Sequence, residues 1–66
     1  MYLVELGDIE VTATLRKPGK WDQGLEPVFD IDAGTDWDGT PVYLDMEDQR
    51  IVSEWIISNY SSEVYT

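Results

Sequence analysis

Tyr2-Leu3-Val4-Glu5-Leu6-Gly7-Asp8-Ile9-Glu10-Val11-Thr12-Ala13-Thr14-Leu15-Arg16 is the stretch from which the fold can be read. Apolar residues recur at every second position on both sides of Gly7-Asp8, which is the period of a half-buried strand. The phase breaks between Leu6 and Ile9, three residues apart, so a single strand would send them to opposite faces. A two-residue turn at Gly7-Asp8 repairs this, and Gly followed by Asp suits a primed hairpin turn. The register then pairs Leu6 with Ile9, Val4 with Val11 and Tyr2 with Ala13, all on one face. Glu5 faces Glu10 across the outer surface, a small penalty where water screens both.

Outward from this hairpin, residues 17–26 read as a loop, bounded by Pro18-Gly19 and Gly24 and holding Trp21 beside two lysines. Two readings of Trp21 stay open: a cap on the core, or an exposed contact residue. A third strand is expected over Pro27–Ala33 with Phe29 and Ile31 inward, and a fourth over Pro41–Leu44 with Val42 and Leu44 inward. Prolines at strand starts are tolerated because the missing donor costs little there. Asp45 is suited to cap a helix, with Glu47 and Asp48 in the first turn where the helix dipole favours acids. Ile51, Val52, Trp55, Ile56 and Tyr60 then share one face at three- and four-residue spacing.

The expected fold is therefore α+β: a four-stranded antiparallel sheet made of two hairpins, with one C-terminal helix packed on one face. As a single domain over 1–66, it divides into hairpin 1–16, loop 17–26, hairpin 27–44, helix 46–59 and tail 60–66, the tail frayed or adding an edge strand. The expected core is Val4, Leu6, Ile9, Val11, Leu15, Phe29, Ile31, Val42, Leu44, Val52, Trp55 and Ile56.

Composition narrows the chemistry. The chain has no cysteine and no histidine, so it lacks disulfides, thiolate sites, the usual general base and the commonest transition-metal ligand. Ser53, Ser58, Ser61 and Ser62 have no histidine to activate them, and Lys17-Pro18-Gly19-Lys20 is too short for a phosphate loop. No catalytic residues and no cofactor are assigned, and a non-enzymatic role is expected. No apolar run is long enough to span a membrane, and the first residues lack a basic leader pattern. A cytoplasmic location follows as the expectation.

Net charge is −10. Residues 1–20 balance Glu5, Asp8 and Glu10 against Arg16, Lys17 and Lys20, so the excess lies in residues 21–66, where Arg50 is the one cation. Its centre is Asp30-Ile31-Asp32-Ala33-Gly34-Thr35-Asp36-Trp37-Asp38-Gly39. An acidic surface of this kind repels nucleic acid and anionic membranes and attracts basic proteins. Asp30 and Asp32 on one strand face stand about 6.6–6.8 Å apart. Asp36 and Asp38 prolong the row, and Asp45, Glu47 and Asp48 add a second cluster. Duplex DNA carries one charge per roughly 1.7 Å of axis, so a protein that grips phosphates could grip these carboxylates. Trp37 and Tyr43 stand among them as aromatic anchors. The candidate partner-binding residues are thus Asp30, Asp32, Asp36, Trp37, Asp38, Tyr43, Asp45, Glu47 and Asp48, and the expected partner is a basic, nucleic-acid-binding protein. Two alternatives stay open. One is an assembly accessory, self-associating or not, that uses a sheet edge or aromatic patch. The other is a weak calcium module. A calcium loop begun at Gly34 places Asp36, Asp38, Gly39 and Asp45 at its third, fifth, sixth and twelfth positions but lacks the first ligand, so no metal ligands are assigned.

In size, charge and a strand-rich body with an acidic helix, including Asp30, Asp32, Asp36, Asp38, Asp45, Glu47 and Asp48, the chain resembles the very short, acidic, cysteine-free proteins encoded by bacteriophages. These include DNA-mimicking inhibitors of host nucleases and anti-CRISPR proteins. The resemblance lies in layout, with no diagnostic motif, so it transfers no residue role. It implies inhibition of a host or defence protein in the host cytoplasm.

Overall fold

A computed structural model describes all 66 residues. Strand β1 (Tyr2–Leu6) and strand β2 (Ile9–Lys17) form the first hairpin, in the register Tyr2↔Ala13, Val4↔Val11, Leu6↔Ile9. Gly7 takes φ +63° at the turn, a conformation that glycine adopts without strain. Glu5 does lie opposite Glu10.

The sheet has five strands where four were expected: β3 (Val28–Ile31), β4 (Gly34–Thr35) and β5 (Pro41–Val42) complete it. The reason is a bulge. Ala13 pairs with Ile31 and Glu10 with Thr35, so four steps on the third lane match three on β2. The extra residue splits the expected Pro27–Ala33 strand and reverses the alternation beyond it. Ala33 is exposed, whereas Gly34 is buried. The second hairpin shrinks accordingly, because only Gly34↔Val42 and Thr35↔Pro41 pair, while β3 pairs with β2 alone.

Gly34 is there for space. A Cβ at this position would overlap Ile9 Cγ2, and Leu44 and Val11 methyls lie 3.5 Å from it. Leu44, just past β5, thereby reaches the core.

Helix α1 (Met46–Val64) lies on the apolar face of the sheet, burying Val52 and Ile56 against Val4, Val11 and Ala13. Asp45 caps it, its Oδ1 accepting from the Asp48 N–H at 2.8 Å. Regular geometry ends at Asn59, as expected. Tyr60 then leaves the helical region (φ −133°, ψ 33°), and one further turn follows to Val64.

That last turn corrects the frayed tail. Val64 is fully buried, so its side chain fixes the segment. The Gly19 N–H donates to the Val64 carbonyl at 2.8 Å, and the Thr66 N–H donates to the Gly19 carbonyl at 3.0 Å. Tyr65 stacks on Trp21 with centroids 3.9 Å apart. Trp21, in a single 3₁₀ turn (Trp21–Gln23), is exposed and covers Tyr65 rather than the core. The fully buried core is correspondingly smaller than expected: Val4, Val11, Ala13, Leu44, Val52, Ile56 and Val64. Leu6, Ile9, Leu15, Phe29 and Ile31 are half-buried around it, Val42 is half-buried, and Trp55 is 39% exposed because it turns toward Tyr60.

Gly34→Ala should destabilise the fold by about 1–3 kcal/mol, the usual range for overpacking a filled site. In an Ile9→Ala background the same substitution should cost markedly less, because the obstructing methyl is gone. Urea denaturation of the four proteins measures the coupling. Additive effects would contradict the close approach of Ile9 to Gly34.

Candidate functional site

The β1–β2 turn and the β4–β5 turn meet at one end of the molecule, because Glu10 of β2 pairs with Thr35 of β4. Between them lies a cleft of about 160 Å³ lined chiefly by Glu5, Asp8, Ile9, Glu10, Asp36 and Trp37. Three of its acids come from the hairpin whose charges balance in sequence. The fold undoes that balance: Glu10 stands at the start of β2 while Arg16 and Lys17 close it, six and seven residues or about 20–23 Å further along.

Trp37 stands at the tip of the β4–β5 turn, 86% exposed. Asp36 holds it there. Its Oδ1 accepts from the Asp38 and Thr40 N–H groups, both at 2.9 Å, and its carbonyl accepts from the Gly39 N–H at 3.0 Å. Asp at the first and Gly at the fourth position are what such a turn favours, and Gly39 has φ +80°. The calcium-loop spacing therefore falls on β4, this turn, β5 and the helix cap. One oxygen each of Asp36 and Asp45 is already engaged by backbone donors, and no three carboxylates converge to metal-ligand geometry.

The other candidate residues fall into separate groups. Asp30 and Asp32 lie exposed on the outer face of the third lane, and Asp30 meets Arg16 at 3.8 Å with both side chains in water. Such a pair contributes about 0–1 kcal/mol. Asp38 and Tyr43 are exposed, Tyr43 at 88%. Asp45 and Glu47 are exposed and Asp48 half-buried at the helix start. The row and the second cluster read from sequence are thus three clusters, the row being divided between the third lane and the turn with its cleft, and the other standing at the helix start.

Fourteen carboxylates meet cations in only two ion pairs, Arg16–Asp30 and Arg50–Glu54. None is fully buried. The surface as built can attract cations, and Trp37 presents a π face where the acids concentrate. Glu5, Asp8 and Glu10 were missed as site residues. The hairpin register already put Glu5 beside Glu10, but the Glu10–Thr35 pairing depends on the bulge.

Searches with family models, among curated proteins and among solved structures found no match to this chain. No helix is long and apolar enough to cross a membrane. Fold and site define a small α+β protein with an antiparallel sheet, one helix and a carboxylate-rich surface.

Asp36→Ala should loosen the turn by removing two hydrogen bonds, at about 1–2 kcal/mol in all. Asp36→Asn keeps the acceptor oxygen and should retain the turn while removing the charge. Amide exchange at Asp38 and Thr40 distinguishes the two: acceleration in Ala only is expected, and equal acceleration in both would show that charge, not the acceptor, holds the turn.

Proposed function

We propose that this protein is a non-enzymatic inhibitor that engages a basic, nucleic-acid-binding protein through its carboxylate surface, in the manner of a DNA mimic. The observation that carries the reading is the near absence of internal neutralisation: two exposed ion pairs serve fourteen acids. Such a surface pays in self-repulsion and steers cationic partners toward itself. A protein that binds phosphates with Lys and Arg meets on Asp30, Asp32 and Asp38 the exposed anions it normally contacts. The acidic cleft offers a seat for one cationic side chain beside Trp37. Neutralisation on binding would release counterions, so affinity falls as salt rises. A cytoplasmic setting, that of the host if the chain is phage-encoded, suits such a target.

A second reading has one observation behind it. β1 is an edge strand with Leu3 57% exposed on its outer face, which would serve an assembly role insensitive to salt.

The test is capture from bacterial lysate at low and high salt, followed by identification of the bound proteins and competition with duplex DNA. Nucleic-acid-binding proteins released by salt and by DNA are expected, with capture reduced at least tenfold by Asp30→Lys/Asp32→Lys. Capture that resists salt and DNA, or is unchanged in the double variant, overturns the inhibitor reading.

A further inference from the structure

The third lane carries more than carboxylates. Its outer edge is open along β3, since β3 pairs only with β2 and β5 begins further on, opposite β4. The hydrogen-bond phase of that edge follows from two observations. A two-residue turn makes Leu6↔Ile9 a hydrogen-bonded pair, so Val4↔Val11 is one as well and Thr12 turns its amide away from β1. In agreement, the Asp32 N–H donates to the Thr12 carbonyl at 2.9 Å. On β3, then, Asp30 and Asp32 bond to β2, while the N–H and C=O of Phe29 and Ile31 point outward with no partner in the chain.

They point toward a groove. Between β3 and the first half of α1 lies an open cleft of about 280 Å³, lined on the strand side by Val28, Phe29 and Ile31 and on the helix side by Met46, Gln49 and Ser53. Met46 is 86% and Val28 45% exposed at its rim. Arg50 also borders it and is paired with Glu54 at 3.2 Å. An unpaired strand edge beside a half-apolar groove is the arrangement that accepts an extended peptide as an added strand.

We infer that this groove takes an extended segment of the basic partner as an additional strand, read through alternating cationic and apolar side chains. The inference rests on the proposed inhibitory function. The alternation follows from the register. Residues opposite Asp30 and Asp32 lie on the outer face in non-hydrogen-bonded positions, where side chains approach most closely, and should be Lys or Arg. Residues opposite Phe29 and Ile31 point into the groove, toward Met46 and the aliphatic stem of Arg50, and should be apolar. Charge complementarity selects this occupant over a second copy, which would bring another net charge of −10. It also selects β3 over β1, whose outer face offers Leu3 and Glu5 in place of two aspartates.

The experiment compares two synthetic peptides of equal composition, one alternating Lys and Val and one with all Lys before all Val. Binding is measured by titration and amide exchange is followed residue by residue. The alternating peptide should bind at least tenfold more tightly and slow exchange at Phe29 and Ile31. Ser53→Trp, which fills the groove, and Met46→Lys, an exposed change at its rim, should each remove that preference. Equal binding of both peptides without protection at Phe29 and Ile31 overturns the groove inference and leaves the acidic-surface reading standing. Protection at Leu3 and Glu5 instead assigns the added strand to β1 and also overturns it. Failure of both peptides to bind at low salt removes both readings.

Discussion

The hydrogen-bond phase of β2 is the constraint on which everything else depends. This nine-residue strand is the longest in the sheet and joins its two halves, with β1 along one edge and β3 and β4 in succession along the other. The Gly7-Asp8 turn sets its phase. Once Val11 bonds to β1, Thr12 must bond to the third lane, and one face must carry Val11 and Ala13 inward. A one-residue slip would expose that entire set, and the core has only seven fully buried members. In a domain of this size, where folding hides only about 60% of the unfolded surface, no reserve exists to absorb such a slip.

The bulge on the third lane reconciles two demands on that phase. Phe29 and Ile31 must face inward to pack beside α1, while further along the lane Ile9 already occupies the inner surface. Continued alternation would put Ala33 and Thr35 there. The extra residue instead brings Gly34 inward, the one residue type with no side chain to meet Ile9. It also re-aims the chain so that the turn led by Asp36 lands beside the first hairpin's turn. Packing and site are therefore consequences of the same irregularity: a regular lane would have placed a side chain against Ile9 and pointed the next turn elsewhere.

How far the sequence discloses this follows from the range of each interaction. The Gly7-Asp8 hairpin, its register and the Asp45 cap are legible because their partners lie within a few residues and period two or a capping pattern specifies them. The helix is legible to Asn59 for the same reason. Its last turn is not, since Val64 is held by Gly19, more than forty residues away, through contacts without local periodicity. Trp55 carries the spacing of a core residue yet turns toward Tyr60, showing that a helix stripe wider than the surface beneath it leaves its margin in water. The acids of the candidate site were visible one by one. Their grouping was not, because Glu5, Asp8 and Glu10 join Asp36 only through the bulged third lane, and because their charge is offset in sequence by cations that the fold sends to the far end of β2.

Solubility alone does not account for the charge. A small domain stays dispersed with a net charge of magnitude about 2–8, and this chain carries −10 on 66 residues around a thin core. Each added carboxylate raises self-repulsion in the compact state, and Glu5 faces Glu10 across a strand pair where like charges oppose folding. A chain shaped for stability alone would place cations among these acids, but Lys17 and Lys20 form no ion pair and Arg50 pairs only along its own helix. Free energy withheld from folding in this way becomes available on association, since a cationic partner relieves repulsions that the isolated protein must bear. On the proposed reading, the edge of β3 decides which cationic partner can collect it. Carboxylates attract any basic surface, whereas the outward amides of Phe29 and Ile31 can be satisfied only by an extended chain. Electrostatics then supplies the encounter rate and the backbone edge supplies the selection.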